Sequence, residues 1–207
     1  KKISKKMSLS ADLELRTRNN AKTVDRWSGT FDLSYKLFSF LKIGGYYSYL
    51  HSQKDSYFKK TGEFVPKYWY SRHRFNIYAS GKYKVDKFTF SLREMWQYTY
   101  RPEKLVTRYE NDGITLDDDE IIAGEGKNLL RSRVTVEYDA VKDFITPYSS
   151  VELHNDKDGI DKTRYTLGTS INIADKNEFG IFYRYQVHGD KEKPKDHIIG
   201  LEYKFKF

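Results

Sequence analysis

Histidines and aspartates gather in the polar segments that connect the more regular parts of the sequence. An Asp–His pair could activate water for hydrolysis, and imidazole together with carboxylate oxygens could hold a cation. No spacing among these residues matches a metal or nucleophile motif, and loop tips carry such residues simply because water solvates them. We therefore expect neither an enzyme nor a metal or cofactor site, with a rim-sited hydrolase as an alternative. The residues are His51, His154, His188 and His197, with Asp156, Asp158, Asp190 and Asp196.

Arginines and carboxylates recur on one side of segments in which every second residue is apolar. If that side faces a narrow and partly dry interior, opposite charges should pair, because an unpaired buried charge is costly. The pattern predicts a salt-bridge plug, and the excess of arginine leaves open a selective path for a small anionic solute. The predicted network is Arg16, Asp32, Arg72, Arg74, Arg93, Arg131, Arg133, Glu137, Glu152, Arg164, Arg184 and Glu202, with Asp12, Glu14 and Lys36 on the same side.

The alternation of apolar and polar residues that positions these charges recurs in about ten segments. Met7 to Leu15 and Trp27 to Leu37 are the first two, and Ile199 to Phe207 is the last. Such alternation indicates strands, and an even number of strands is typical of a closed bacterial barrel. The sequence predicts an all-β fold, a closed antiparallel up-and-down transmembrane β-barrel of about ten strands, formed by one domain over residues 1–207.

The predicted connections alternate between short and long. Short turns at one rim and long polar loops at the other are typical of outer-membrane barrels, with long extracellular loops and short periplasmic turns. Because Lys1 begins the chain without an apolar leader, we expect that a signal peptide has already been removed. The predicted short turns are residues 38–40, 82–86, 140–143 and 174–177, and the predicted long loops are residues 18–26, 52–66, 101–127, 155–161 and 189–195.

Aromatic residues lie near both ends of the predicted strands, on the apolar side. In a membrane barrel lipid contacts the apolar side, whereas in a soluble lipocalin-like carrier that side would be internal. Amphipathic rings settle at the headgroup level of a bilayer, which favours the membrane orientation. The predicted membrane-interface aromatics are Trp27, Trp69, Trp96, Tyr203, Phe205 and Phe207.

The composition excludes several other classes of protein. The chain has 37 Lys and Arg against 29 Asp and Glu, a net charge of +8, and no cysteine. No stretch reaches the ~20 apolar residues of a membrane helix, and the lack of cysteine excludes disulfide and thiolate sites. An aromatic content of 16% argues against disorder. Because the cations are spread over the strand faces, we expect no nucleic-acid partner.

Two polar residues break the apolar parity. His73 and Glu94 fall on the lipid-facing side of the predicted fourth and fifth strands, which a tight turn makes antiparallel neighbours. A charge in the middle of a bilayer is destabilising. Either a β-bulge near Arg93 turns Glu94 inward, or Glu94 lies close to the interface, or the two residues form a polar patch covered by a partner subunit.

The longest predicted loop, residues 101–127, carries an acidic run from Asp117 to Glu120. Loops of this length are usually functional or disordered. The run is either a solvated loop tip or a site for divalent cations or a basic partner surface.

Short motifs in the second half of the chain carry a family resemblance. They are residues 130–133 (LRSR), 146–148 (TPY), 152–153 (EL), 164–168 (RYTLG), 183–186 (YRYQ) and 197–201 (HIIGL). This series resembles an uncharacterised family of small outer-membrane barrels, frequent in Bacteroidota and known as a domain of unknown function. The resemblance covers about the last eighty residues well and the first hundred poorly. It implies a fold and a compartment but no activity.

The patterns together predict an integral protein of a Gram-negative outer membrane, acting as a non-enzymatic structural or accessory subunit with a charge-plugged lumen. The alternative is a narrow pore that prefers anions. The last strand, with alternating aromatics and Phe207 at its end, resembles the signal read by the barrel assembly machinery. We expect that machinery, outer-membrane lipids with lipopolysaccharide, and other outer-membrane subunits as partners.

Overall fold

The protein is built from antiparallel strands. The computed structural model describes residues 4–142, 144–173, 176–190 and 192–205. Within these ranges no helix is long and apolar enough to cross a membrane. The strands in chain order are β1 (Met7–Arg18), β2 (Thr23–Lys36), β3 (Leu41–Lys54), β4 (Tyr57–Phe58), β5 (Phe64–Val65), β6 (Tyr68–Val85), β7 (Phe88–Arg101), β8 (Lys104–Val106), β9 (Glu120–Ile122), β10 (Glu125–Tyr138), β11 (Ile145–Asp156), β12 (Gly159–Ile173), β13 (Asn177–His188) and β14 (Asp196–Phe205).

Ten of these strands form one curled sheet in which neighbours are antiparallel. Its order is β1-β2-β3-β6-β7-β10-β11-β12-β13-β14, and the short strands form two hairpins, β4 with β5 and β8 with β9. The ten predicted strands are confirmed. The predicted closure is not confirmed, because β1 and β14 are the edges of the sheet and share no backbone pairing in the described residues. Alternation specifies the apolar face of each strand, whereas closure depends on tilt and stagger.

The strands are staggered as the wall of a barrel requires. One row of backbone partners starts at Met7, the first residue of β1, and ends at Val187, one residue before the end of β13. Across the sheet, this row of partners therefore moves from one end of the strands to the other. Such stagger accompanies tilted strands, and a sheet of tilted strands curls toward closure. Between its ends the row passes through Tyr35, Ile43, Ala79, Glu94, Ser132, Leu153 and Thr163.

Apolar side chains cover the convex face of the sheet and polar side chains cover the concave face. Large apolar residues at alternate positions are exposed, and Leu201 reaches 82%. Small polar residues at the other positions are buried, among them Ser28, Asn76, Gln97 and Thr166. A sheet of a soluble carrier would bury the first set and expose the second. The ionic face is thus internal and the apolar face external.

Two connections that were predicted to be long are tight turns. Residues 19–22 join β1 to β2, with positive φ at Asn19 and Asn20, and residues 157–158 join β11 to β12. The strands extend beyond their apolar stretches because backbone hydrogen bonds between strands form without apolar side chains. Register shifts after Arg16 and after His154 accompany this extension. Residues 55–67 and 102–124 are the long connections, and each contains one of the small hairpins.

Candidate functional site

A cavity of about 910 Å³ lies along the concave face, and all ten long strands contribute to its wall. Nine arginines and four lysines line it against five carboxylates. A positive lining of this kind lowers the energy of an anion and raises that of a cation. The lining includes eight residues of the predicted network, which are Arg16, Asp32, Arg72, Arg74, Arg93, Arg131, Arg164 and Arg184.

Glu152 on β11 collects the largest group of cationic side chains. Its Oε1 accepts from Arg131 Nη2 at 2.7 Å and Arg131 Nε at 3.2 Å, lies 3.5 Å from Arg164 Nη1, and contacts His154 Nε2 at 2.5 Å. The one described cation near its Oε2 is Arg133, whose Nη1 lies 3.9 Å away. Arg133 and Arg164 are the cross-strand neighbours of Glu152 on β10 and β12, so the register places them there.

Two glutamine amides orient the arginines around Glu152. Arg131 Nη1 donates to Gln97 Oε1 at 2.9 Å, and Arg164 Nε donates to Gln186 Oε1 at 2.7 Å. Both glutamines are buried. Because each guanidinium is held by groups on different strands, its planar fork is fixed relative to the cavity.

Glu14 on β1 is the second carboxylate that binds two arginines. Arg26 Nη2 lies 3.1 Å from Oε1 and 3.2 Å from Oε2, and Arg16 bonds Glu14 through Nε. The Glu14 side chain is 44% exposed, whereas that of Glu152 is 8% exposed.

Four arginines of the cavity wall have no carboxylate partner within the described residues: Arg72, Arg74, Arg93 and Arg184. Arg72 Nη2 donates to Ser52 Oγ at 2.8 Å, and Arg74 Nε and Arg184 Nε donate to threonine hydroxyls at 3.3 and 3.1 Å. Arg93 lies over the Tyr78 ring, 3.9 Å from its centroid. The groups that hydrogen-bond or stack on these four arginines are neutral, so no described carboxylate pairs directly with their charge. The expected pairing of opposite charges therefore does not hold for these four residues.

Aromatic rings narrow the interior on the side of the short turns. The Tyr78 ring lies across Gly44, where an added Cβ would come within 2.7 Å of its Cζ, and Tyr78 Oη donates to Asp32 Oδ1 at 3.1 Å. Tyr46 Oη contacts Met95 Sδ at 3.1 Å in the same region. Only glycine at position 44 leaves room for the Tyr78 ring at this place in the interior.

The remaining predicted network residues lie on the internal face but do not border the cavity. Arg133 and Glu152 face each other, Glu137 pairs with Lys82 at 3.6 Å, and Glu202 is opposite Gly180. Sequence reasoning missed six cations of the lining, which are Arg26, Lys42, Arg101, Lys127, Lys162 and Lys204. Arg26 and Lys127 fell in predicted loops, and extending the strand parity by one step would have found Arg26.

Aromatic and histidine side chains form a cluster on the external face near the long connections. Trp27 and Trp69 flank His51, with ring centroids 5.5 and 5.0 Å away, and Tyr49 Oη hydrogen-bonds Ser71 Oγ at 2.6 Å. Trp96 lies apart from this cluster, stacked on Tyr98.

The predicted interface aromatics of the last strand lie toward the other rim. Tyr203 packs on Phe179 with centroids 4.9 Å apart, and Phe205 is exposed. Phe207 lies outside the described residues.

His73 and Glu94 are both external, but they do not form one patch. His73 is opposite Tyr100 and Glu94 is opposite Ala79, six residues further along β6, or roughly 20 Å. The pairing of β7 with β6 and β10 runs without a register shift, so the bulge expected near Arg93 is absent there. Glu94 remains on the external face, where Ser132 Oγ donates to its Oε2 at 2.7 Å, and His73 Nδ1 meets Tyr47 Oη at 2.8 Å.

Comparison with known proteins places the chain in a family. The family described as protein of unknown function (DUF2490) matches residues 1–196. The chain belongs to this family. The match extends through the first hundred residues, where the sequence motifs gave a poor resemblance. The search of curated proteins gives no match. Among solved structures, the NanC porin in a rhombohedral crystal form aligns with 98% of this chain and 100% of its own at 10% identity, with a TM-score of 0.48.

The rim of this family member near the long connections holds polar pairs rather than a metal cluster. His188 Nε2 lies 2.9 Å from Asp196 Oδ2, and Lys127 Nζ lies between Asp156 and Asp161 at 3.0 and 2.6 Å. In the part of the chain that the structure describes, no three His, Asp or Glu residues are placed to hold a metal ion.

The two long connections pack against each other. Phe64 and Tyr109 exchange two backbone hydrogen bonds of 2.9 Å, and Lys59 Nζ pairs with Glu120 Oε2 at 2.8 Å. Arg108 pairs with Asp117 at 3.2 Å within residues 102–124, so Glu120 of the acidic run links the two connections and Asp117 links parts of one.

A tight turn within residues 102–124 centres on Asp112. The Thr115 hydroxyl donates to Asp112 Oδ2 at 2.5 Å, and the amides of Ile114 and Thr115 donate to Oδ1. These hydrogen bonds, that of the hydroxyl first, lower the pKa of Asp112.

Proposed function

We propose that this protein is a β-barrel of the bacterial outer membrane whose arginine-lined interior admits small anionic solutes. The observation that carries the proposal is the set of four cavity-lining arginines whose partners are neutral. Arg72, Arg74, Arg93 and Arg184 would repel one another in an empty interior, and anions in the cavity would compensate their charge.

The two faces of the sheet support the proposed compartment. The external face presents leucine, isoleucine and phenylalanine, together with tryptophan and tyrosine clusters of the kind found at bilayer interfaces. Outer-membrane lipids and lipopolysaccharide are the partners that such a face would contact, and the assembly machinery of that membrane would insert the chain.

The proposal requires β1 to pair with β14 in the membrane. Asp12 on β1 is within electrostatic reach of Lys204 on β14, and Arg16 is within reach of Arg184. The cavity is also lined from both edges of the sheet. In hydrocarbon, unpaired backbone groups at the two edges would be destabilising, and closure satisfies them.

An anion moving through the interior would pass between fixed guanidinium groups. Arginine presents donors in a planar fork that matches carboxylate and phosphate oxygens. Conduction also requires that binding be weak enough for release. Glu14 and Glu152 weaken the binding of anions, because each carboxylate neutralises part of the positive charge of the cavity wall.

Current measurement in a planar lipid bilayer under a KCl gradient tests the proposal. We expect a reversal potential that reports preference for chloride, and a smaller preference in Arg74→Gln. Lys87→Gln, which changes a lysine of a short turn outside the cavity lining, should leave the preference unchanged. A folded, inserted protein without current, or with cation preference, would contradict the proposal.

A second candidate is a non-enzymatic accessory subunit with a closed interior. The ion pairs around Glu152 and the stack of Arg93 on Tyr78 favour it, because both fill space near the axis. Absence of current together with proteins that co-purify in mild detergent would select this candidate.

A further inference from the structure

We propose that the group formed by Arg74, Arg131 and Arg164 is an oxyanion-binding site and that Glu152 competes with the ligand for it. The inference rests on the proposed function and adds to it the class of ligand and the residue that sets how long the ligand stays. The ligand class is a small solute that carries a carboxylate or a phosphate group.

The group has more donors than Glu152 uses. Three donor side chains converge on Oε1, whereas among the described residues Oε2 has only Arg133 at 3.9 Å. His154 donates its Nε2–H to Glu152, and Nδ1 of the neutral ring is an acceptor, so the surplus donors belong to the arginines. A single carboxylate thus leaves donor capacity and positive charge at the site.

The hydrogen-bond donors that Glu152 does not use face the cavity. Arg74, Arg131, Arg164 and His154 border the cavity, whereas Glu152 does not. Arg74 donates only through Nε, to Thr99 at 3.3 Å, and lies within electrostatic reach of Arg131. An oxyanion entering the cavity would therefore meet Arg74 and the cavity side of Arg131 and Arg164 while Glu152 holds the opposite side.

The geometry favours an oxyanion over a halide. A guanidinium donates two parallel hydrogen bonds to a carboxylate or phosphate, and a spherical ion cannot use both with the same alignment. Gln97 and Gln186 fix the planes of Arg131 and Arg164, so the fork is set before the ligand arrives. Glu152 draws on the same donors, which makes it a competitor for the ligand.

The test compares the full chain with Glu152→Gln in planar bilayers. Inorganic phosphate and acetate are the probes, added to KCl at constant ionic strength. We expect both to reduce the chloride current, and we expect the half-blocking concentration to fall about tenfold in Glu152→Gln, since one competing charge is gone while the hydrogen-bonding shape is kept. Glu137→Gln, which removes an internal carboxylate outside the cavity lining, should leave the half-blocking concentration unchanged.

An unchanged half-blocking concentration in folded, conducting Glu152→Gln would overturn the inference. Block by phosphate alone would identify phosphate groups as the ligand, and block by acetate alone would identify carboxylates. Currents that neither probe reduces would overturn the site while leaving the anion path intact.

Ligand binding to the detergent-solubilised protein tests the oxyanion site independently of ion conduction. If the wild-type protein carries no current, the proposed function fails, but calorimetry can still show phosphate binding to the solubilised protein. If Glu152→Gln does not fold, the thermal unfolding temperature of the wild type decides. Phosphate should raise it more than chloride at equal ionic strength, and equal values would contradict the site.

Discussion

Glu152 and Glu14 are two internal carboxylates with the same kind of partner in different surroundings. Glu152 lies on β11, with a strand on either side, and its side chain is 8% exposed among Arg131, Arg164 and His154. Glu14 lies on the edge strand β1, binds Arg16 and Arg26, and is 44% exposed. Both carboxylates bind arginines, but β1 is an edge strand, so Glu14 lacks the second neighbouring strand that covers Glu152.

The comparison shows what closure of the sheet would add. Neighbouring strands supply cations to both sides of Glu152, because Arg133 and Arg164 are its partners in register. In the described sheet Glu14 has a neighbouring strand on one side only, β2, where its partner in register is Ser28 and Arg26 lies two residues away. Pairing β1 with β14 would give Glu14 a second wall and bring Arg184 and Lys204 closer to it.

Alanine substitutions at Glu152 and Glu14 should differ most in their effect on the free energy of unfolding. Glu152→Ala leaves Arg131 and Arg164 buried without their anion, and removal of one partner from a buried pair costs about 3–5 kcal/mol. Glu14→Ala should cost about 1 kcal/mol or less, because the Glu14 side chain is 44% exposed and water already screens its ion pairs. The measurement is the free energy of unfolding by urea in detergent micelles. Equal losses would show that Glu14 is as enclosed as Glu152.

A disulfide across the edges tests whether β1 and β14 pair. The register that sets Asp12 opposite Lys204 also sets Leu13 opposite Tyr203, both on the external face. Leu13→Cys with Tyr203→Cys should cross-link on oxidation, and the closed loop should stabilise the folded chain by about 2–4 kcal/mol.

The matched control for the cross-link is Leu13→Cys with Ile199→Cys. Position 199 lies four residues from 203, roughly 13 Å along the strand, so the control pair should stay reduced. Cross-linking of the control pair instead would place the edges in a different register. Failure of both pairs in lipid would show that the sheet stays open.

The sequence predicts on which face of the sheet a side chain lies, but it does not predict how the edge strands are covered. Glu152 and Glu14 show why. Parity along β11 placed Glu152 inside next to Arg131 and Arg133, because side-chain direction alternates with each residue. The same parity placed Glu14 inside but said nothing of its exposure, which depends on whether β14 reaches β1. Arg26 was missed because it lies beyond the apolar stretch of β2, where hydrogen bonding continues without an apolar signal. The neutral partners of Arg72 and Arg74 are set by three-dimensional register, which local patterns do not encode.

Glu94 extends the comparison to a carboxylate on the external face. It has Ser132 rather than an arginine as its hydrogen-bond partner. In lipid, Glu94→Leu should raise the free energy of unfolding by about 1–2 kcal/mol, because a charge on the lipid face of a barrel is destabilising. Glu202→Gln, which changes an internal carboxylate, should give no such gain. A loss of stability in Glu94→Leu would point instead to a polar partner at this position.

Asp112 gives the smallest effect, because its partners lie in its own turn and not on other strands. Its pKa is lowered from the ordinary value of 3.8 by the Thr115 hydroxyl and by two amides. A lowered pKa means that the stabilising contribution is complete above 3.8 and is lost as the pH falls through the lower folded value. Pepsin cleavage within residues 109–117 should therefore stay slow from pH 5 to 4 and rise only below pH 3.8. In Asp112→Ala it should be faster across the whole range, whereas Asp119→Ala should behave as the wild type. Cleavage of the wild type that is already fast at pH 5 would show that these hydrogen bonds do not hold the turn.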